Sequence, residues 1–346
     1  MRNLKRALSL ALALVMVLSM MVVGASAVSA DDFSDSADIV NKEAVTVLAT
    51  LGVITGNDDG SYAPADTISR AEMSTIICRV LNGGKDPVLG EAVTNTYTDT
   101  ASHWAKNYIE YCTTLGIVAG KGDGTFDPEG DVTVAEAAKM VLVALGYNAD
   151  VEGYVGGNWQ INTDARANPL GLYDDLSYTT TNAPLTRDNA AQMLYNALDC
   201  DMVKYDVVLD TTSSTVISTT QLGETGETLL EDKFEAVKVE GVVIANEVAN
   251  LESTSTNGSS LAANSTKIRI DEEADQDYYT GDETFSVASS LDELGRYVAI
   301  YVKKDRNAIN AQVLGSVIVS EDNKVITDAS TDSIRDVADD NDLDLT

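Results

Sequence analysis

Ile68-Ser69-Arg70-Ala71-Glu72 recurs as Val132-Thr133-Val134-Ala135-Glu136 and, more loosely, as Leu185-Thr186-Arg187-Asp188-Asn189. Ahead of it stands Leu51-Gly52-Val53-Ile54-Thr55-Gly56, which returns as Leu115-Gly116-Ile117-Val118-Ala119-Gly120 and, in part, as Leu170-Gly171-Leu172. Leu51 and Leu115 are 64 residues apart, and so are Ser69 and Thr133. Two separated motifs with one offset mark a duplicated unit, so the chain is read first as a repeat.

Each copy predicts a helix, a tight loop and a second helix. In the second copy Trp104, Tyr108, Ile109, Cys112 and Leu115 fall at helical spacing, and Gly116 closes that helix as a C-terminal glycine does. The segment Gly120-Lys121-Gly122-Asp123-Gly124-Thr125-Phe126-Asp127-Pro128 is rich in turn residues around one large anchor, Phe126. Thr133 and Glu136 then form a capping box: the hydroxyl accepts an orphan backbone N–H and the carboxylate accepts the cap's own. Val134, Ala137, Ala138, Val141, Leu142 and Leu145 follow as an apolar stripe. The first copy matches, with Ile39, Ala44, Val47, Leu48 and Leu51 in its first helix, Tyr62 as anchor and Ser69/Glu72 as box. The third is degenerate: Trp159 precedes Leu170 by 11 residues, as Trp104 precedes Leu115, but the loop is recast as Tyr173-Asp174-Asp175-Leu176-Ser177-Tyr178. One such unit cannot bury both its helices, whereas several together share a core.

After Cys200 the composition becomes β-branched. Strands are expected at Tyr205–Leu209, Ser214–Thr219, Ala236–Ala245, Lys267–Ile270, Thr284–Val287, Arg296–Lys303 and Ala311–Val319. The resulting boundaries are a leader at 1–30, repeats at 31–92, 93–150 and 151–200, and a β-rich region at 201–346 that stops without a closing element, as a truncated domain would. The class is α+β and multidomain. In the leader, Arg2, Lys5 and Arg6 precede the uncharged run from Ala7 to Val23, and small residues suit cleavage after Ala27 or Ala30; a cut after Ala30 is favoured. No later segment is apolar enough to span a bilayer, so no membrane span is expected once the leader is removed.

The 346 residues carry 55 acidic and 23 basic side chains, a net charge of −32. Loss of the leader's three cations takes this to −35. That balance argues against nucleic acid and against docking on anionic lipid. The cysteines Cys78, Cys112 and Cys200 have no metal-site spacing, and their odd number forbids complete internal pairing. A buried thiol is expected at Cys78. His103 is the only histidine, which gives a nucleophilic triad little to build on. The acidic loop at Asp123 has Pro128 where a calcium loop needs its turn glycine. No catalytic residue, metal or cofactor is assigned.

The repeat resembles the S-layer homology family. That family's pattern runs F-x-D, H-W-A, I, G-I, G-x-G-x-F-x-P and I-T-R-A-E. The second copy reads Tyr97-Thr98-Asp99, His103-Trp104-Ala105, Ile109, Gly116-Ile117, Gly122 to Pro128 and Val132 to Glu136. The first opens with Phe33-Ser34-Asp35. The resemblance, over residues 31 to 200, implies three helix-loop-helix repeats in a pseudo-threefold module on an exported, cell-wall or S-layer protein. It implies non-covalent binding to a secondary cell-wall polymer on peptidoglycan, anionic and often pyruvylated, in grooves between repeats, with self-association in a surface layer as a further partner. Carried over, the ligand residues are Arg70, Arg187, Gly56 and Gly120. Val134 departs from the pattern where the arginine should stand, and the third copy lacks the glycine loop, which puts those two repeats' grooves in doubt. A wall-anchored enzyme acting on polysaccharide is the alternative.

Physical chemistry bears on the arginines independently. At the first helical position a cation opposes the helix dipole. An anion there would meet free N–H groups, the dipole and a guanidinium together. The competing reading is an arginine paired with a surface carboxylate. Trp104 and Trp159 could stack on sugar rings, and Trp104 joins the candidate ligand residues, although helical spacing also suits a core position.

Overall fold

The computed structural model describes residues 29–88, 95–210, 217–251, 260–271, 278–305, 307–320 and 323. The leader lies outside this range apart from Ser29 and Ala30. Ser29 caps a short 3-10 turn, and Ala30 is buried with its N–H on Thr46 Oγ1 at 3.0 Å. Among the described residues no helix is long and apolar enough to cross a membrane.

Two compact units result, one reaching Val237 and taking in Tyr301–Asp305 and Ala311–Ser316, the other built on Lys238–Ile300. In the first, six helices come in three copies: α1 (Lys42–Thr50) and α2 (Arg70–Leu81), α3 (Lys106–Thr114) and α4 (Val134–Ala144), α5 (Trp159–Ala167) and α6 (Arg187–Leu198). The main contacts of the first helices are not with the second helix of their own copy. Instead α2 lies against α3, α4 against α5, and α6 against α1, so each copy's second helix buries the next copy's first.

The second helices start where the capping boxes predict. Ser69 Oγ accepts from Glu72 N and Thr133 Oγ1 from Glu136 N, with each glutamate accepting the cap's N–H in return. Thr186 caps α6 through Asn189 N, but Asn189 spends its own amide on Ser177. The first helices lack such caps and run shorter than their apolar spacing suggests. Ile39 precedes α1, and Leu115 lies past α3 and is 49% exposed.

The residues just ahead of the caps close a ring. Ile68 N donates to Leu185 O (2.9 Å), Leu185 N to Val132 O (2.8 Å) and Val132 N to Ile68 O (3.1 Å), with all three side chains buried. Around it the first two N–H groups of each second helix are taken by a neighbouring copy's loop. Arg70 and Ala71 donate to Gly130 O and Pro128 O, Val134 and Ala135 to Ala183 O and Thr181 O, and Arg187 and Asp188 to Asp66 O and Pro64 O. Helix N-termini carry orphan N–H groups, and here the first two are satisfied between copies and the third by the cap hydroxyl.

The unit also includes a hairpin, β1 (Asp201–Asp210) with β2 (Ile217–Thr228), and the short α7 (Leu229–Phe234), which Thr228 and Glu231 open with their own capping box. Val203 N donates to Leu145 O and Leu229 N to Cys200 O, which root this segment on the helices. Of the strand expected at Ser214–Thr219, residues 214–216 lie outside the described residues; β2 continues past Thr219 to Thr228, because pairing with β1 rather than its own weak apolar pattern holds it. Cys78, Cys112 and Cys200 are free and buried. Desolvation pushes the Cys78 and Cys200 thiols up to about 12 and the Cys112 thiol higher still.

A five-stranded sheet has the order β5-β4-β3-β6-β7, where β3 is Ala236–Asn246, β4 Thr266–Ile270, β5 Asp282–Phe285, β6 Tyr297–Lys303 and β7 Val313–Val319; most of it falls in the second unit, while residues 236–237, 301–303 and 313–316 fall in the first. β4 pairs antiparallel with both β3 and β5. β6, an interior strand between β3 and β7, is buried on both faces over Val298–Val302, the pattern of a covered strand. The chain is thus mixed α+β, with its helices first.

Candidate functional site

The loops come before the arginines. Asp35 accepts from Tyr62 N (2.8 Å) and Ala63 N (2.7 Å), and Asp99 accepts from Phe126 N (2.9 Å) and Asp127 N (2.8 Å). Ala63 and Asp127 hold positive φ, 56° and 63°, which turns each loop and drives its anchor inward. Tyr62 and Phe126 are buried and pack on Phe33 and Tyr97, at 5.4 and 5.2 Å between ring centres. The Tyr62 bond, followed by that from Ala63, holds the Asp35 carboxyl below its usual range against the opposing cost of burial.

Gly56 and Gly120 are needed for close approach. A Cβ on Gly56 would come within 2.5 Å of the Phe33 ring, and one on Gly120 within 2.5 Å of the Tyr97 ring and 2.6 Å of Thr125 O. These glycines therefore have a packing role that the resemblance alone did not assign.

Arg70 reaches into the second copy's loop. Its Nε donates to Phe126 O (3.0 Å), its Nη2 to Ala119 O (2.7 Å), and its guanidinium sits 4.3 Å over the Phe126 ring. Arg187 does the same in the first copy's loop, with Nε on Tyr62 O (2.9 Å) and its guanidinium 5.2 Å from the Tyr62 ring. Its Nη1 adds an ion pair with Glu72 Oε1 at 2.8 Å. One expectation is corrected here. The N–H groups at Arg70 are not free, since Gly130, Pro128 and the Ser69 hydroxyl take them, so any anion meets the guanidinium and not the helix terminus. Each arginine has a structural task, tying its helix to another copy's loop. The surface-carboxylate alternative holds for Arg187 through Glu72, while no carboxylate lies within ion-pair distance of Arg70 among the described residues.

Two grooves result. One, of ≈ 180 Å³, gathers Gly56, Arg187, Trp104, Glu72 and Arg79. The other, of ≈ 390 Å³, gathers Gly120, Arg70, Trp159, Lys139 and Glu136. Arg70 thus joins Gly120, and Arg187 joins Gly56; neither arginine serves the glycine of its own copy. Trp104 is 60% exposed and Trp159 half-buried, so a core position is wrong for both. Trp104 is held by its neighbour: His103 Nδ1 accepts from Ala105 N–H (3.1 Å), which leaves the Nε2 proton for Glu129 Oε1 at 2.7 Å, and the two rings lie 5.4 Å apart. His103 is therefore a helix-start fixture. Val134 N donates to Ala183 O and Ala135 N to Thr181 O, so the start of α4 meets the third copy just after its recast loop. The copy without the arginine and the copy without the glycine loop thus meet each other at this junction.

Sequence reasoning passed over Lys139, Glu72 and Arg79 as groove residues. Their signal was available in hindsight, since Glu72 and Arg79 stand seven residues apart on one face of α2 and Lys139 follows Glu136 by three on α4. Among the described residues no cluster of His, Cys, Asp and Glu could hold a metal ion.

The S-layer homology domain model matches residues 32–74 and 96–138. The "Middle cell wall protein" of Brevibacillus brevis is 31% identical over 83% of this chain and 26% of its own length. A "Cell surface protein" of Thermoanaerobacter kivui is 30% identical over 59% of this chain and 26% of its own. "Exoglucanase XynX" of Acetivibrio thermocellus is 28% identical over 48% of this chain and 16% of its own. The chain spans about a quarter of the length of the first two. With the loop aspartates, capping boxes and loop anchors of both matched segments in place, the chain belongs to the S-layer homology domain-containing cell-surface proteins.

Proposed function

We propose that residues 31–200 form one pseudo-threefold anchor of three S-layer homology repeats, the third degenerate, which holds an exported protein non-covalently to an anionic secondary polymer of the cell wall. The ring through Ile68, Val132 and Leu185 and the cyclic helix pairing support three equivalent copies, although the domain model matches two. The observation that carries the binding role is the pairing, twice over, of a loop glycine, an exposed or half-exposed tryptophan and an arginine from a different copy. A guanidinium offers a forked donor set to carboxylate or phosphate, and an indole offers a face to a sugar ring. Residues 201–346 then serve as displayed or array-forming surface protein.

The enzyme alternative has less support. Its exoglucanase relative is matched over 16% of its length, and each groove is lined by one carboxylate, Glu72 or Glu136, where glycoside hydrolysis uses two. The test is co-sedimentation of the purified chain with isolated cell walls, before and after extraction of the polymer attached to peptidoglycan. Pelleting with intact walls and release after extraction are expected; equal pelleting with both would overturn the reading.

A further inference from the structure

The two grooves share a plan and differ in free charge. In the smaller one every cation is already answered: Arg187 pairs with Glu72 at 2.8 Å, and Arg79 pairs with Asp86 at 2.8 Å. In the larger one Arg70 bonds only to carbonyl oxygens and forms no ion pair among the described residues, with Glu136 and Asp127 acting on it from further off, which leaves N–H donors unspent. Lys139 stands on the same wall. It occupies the place in α4 that Thr75 occupies in α2, 64 residues earlier. Thr75 is buried and turns its hydroxyl onto Ala71 O at 2.9 Å, whereas the Lys139 ammonium lies 5.8 Å from the centre of the Trp159 ring. No carboxylate lies within ion-pair distance of Lys139 among the described residues. Glu136, one turn back, accepts through Oε2 from the Thr133 backbone N–H and hydroxyl at 2.9 and 3.0 Å. On the same rim Lys121 is 3.6 Å from Asp127. On a chain of net charge −32, two unanswered cations in one groove run against the trend.

We propose that Lys139 is a second ligand-contacting cation, and that it makes the Arg70 groove selective for a sugar unit bearing two negative charges while the Arg187 groove takes at most one. The proposal rests on reading the grooves as glycan sites. Arg70 and Lys139 converge on one cavity from two copies, with Trp159 to carry the sugar face, so one residue of the polymer can meet both cations. Burial lowers the Lys139 ammonium from its ordinary value despite Glu136 and Asp150 nearby, and an arriving anion would offset that cost. In the smaller groove an anion must first compete with Glu72 for Arg187.

The protein has two tryptophans, so Trp104→Phe leaves Trp159 as the reporter of the larger groove. The emission of that variant is titrated at pH 8 with glucose, glucuronate (one charge) and glucose 6-phosphate (two charges). The expected order is glucose 6-phosphate tighter than glucuronate by about tenfold, the scale of one added charge-assisted contact. Lys139→Met, which keeps the stem on Trp159 and removes the charge, is expected to erase that difference, and Lys139→Arg to restore it. Equal affinity for both acids, or a difference that survives Lys139→Met, overturns the proposal. Wall co-sedimentation of the unsubstituted chain separates the two levels. Pelleting with no response of Trp159 to either acid sinks the Lys139 assignment alone; a selective response without pelleting sinks the anchoring reading alone; neither signal sinks both.

Discussion

Arg70 and Arg187 hold the same helical position and make the same move, yet their surroundings differ in charge. Arg187 is neutralised by Glu72, and Arg70 is not. Neither can be removed without structural cost, because each ties down a loop carbonyl in another copy. The loop aspartates give a cleaner residue-scale test, since their work is to accept two backbone N–H bonds. Asp35→Asn is expected to lower Tm by roughly 5 °C at neutral pH, the scale of a lost charge-assisted bond in a domain of this size. The folded carboxyl titrates below its usual 3.8, so the stabilisation is fully present above that value and fades as pH falls through the folded one. The Tm gap between wild type and variant should therefore be constant from pH 5 to 8 and close towards pH 3. A gap that persisted in acid would assign the loss to packing. Gly120→Ala should cost about 1–3 kcal/mol in urea unfolding, because the new Cβ meets backbone at Thr125 as well as the Tyr97 ring.

At the scale of elements, the starts of α2, α4 and α6 were legible because capping is local: a hydroxyl and, in two copies, a glutamate three residues on. Thr133→Ala should cost about 1 kcal/mol by urea unfolding. The same local signal sits at Thr228 and Glu231, and α7 could have been found by it. β2 was only half legible, since Thr219-Thr220-Gln221-Leu222-Gly223-Glu224 has little apolar alternation and takes its strand form from β1. What no local pattern carries is the destination of each helix's first turn. Arg70 meets Phe126 across 56 residues and Arg187 meets Tyr62 across 125, so the pairing of arginine with glycine emerges only when the ring closes. That closure also explains why the copy without the arginine and the copy without the glycine loop meet. Val134→Arg would aim a guanidinium at the third copy, whose recast loop has no counterpart of the glycine loop that receives Arg70. Wall affinity, measured by co-sedimentation, should then change by less than about twofold.

Across the whole chain, composition separated an α-rich first half from a β-rich second half at Cys200. The compact unit itself continues to Val237, because the β1–β2 hairpin and α7 are rooted on the helices through Val203 and Leu229. The excess of acid made nucleic acid and lipid poor partners, and the same excess gives unanswered cations their meaning. The central claim is that anchoring runs through two grooves, each completed by an arginine from another copy. Its most direct test is co-sedimentation with isolated cell walls of the unsubstituted chain, Arg70→Ala, Arg187→Ala, the double variant and Val134→Ala, with Tm recorded for each. Each arginine variant should bind more weakly, the double variant should stay in the supernatant while still folded, and Val134→Ala should pellet as the unsubstituted chain does. A folded double variant that pellets undiminished would contradict the account.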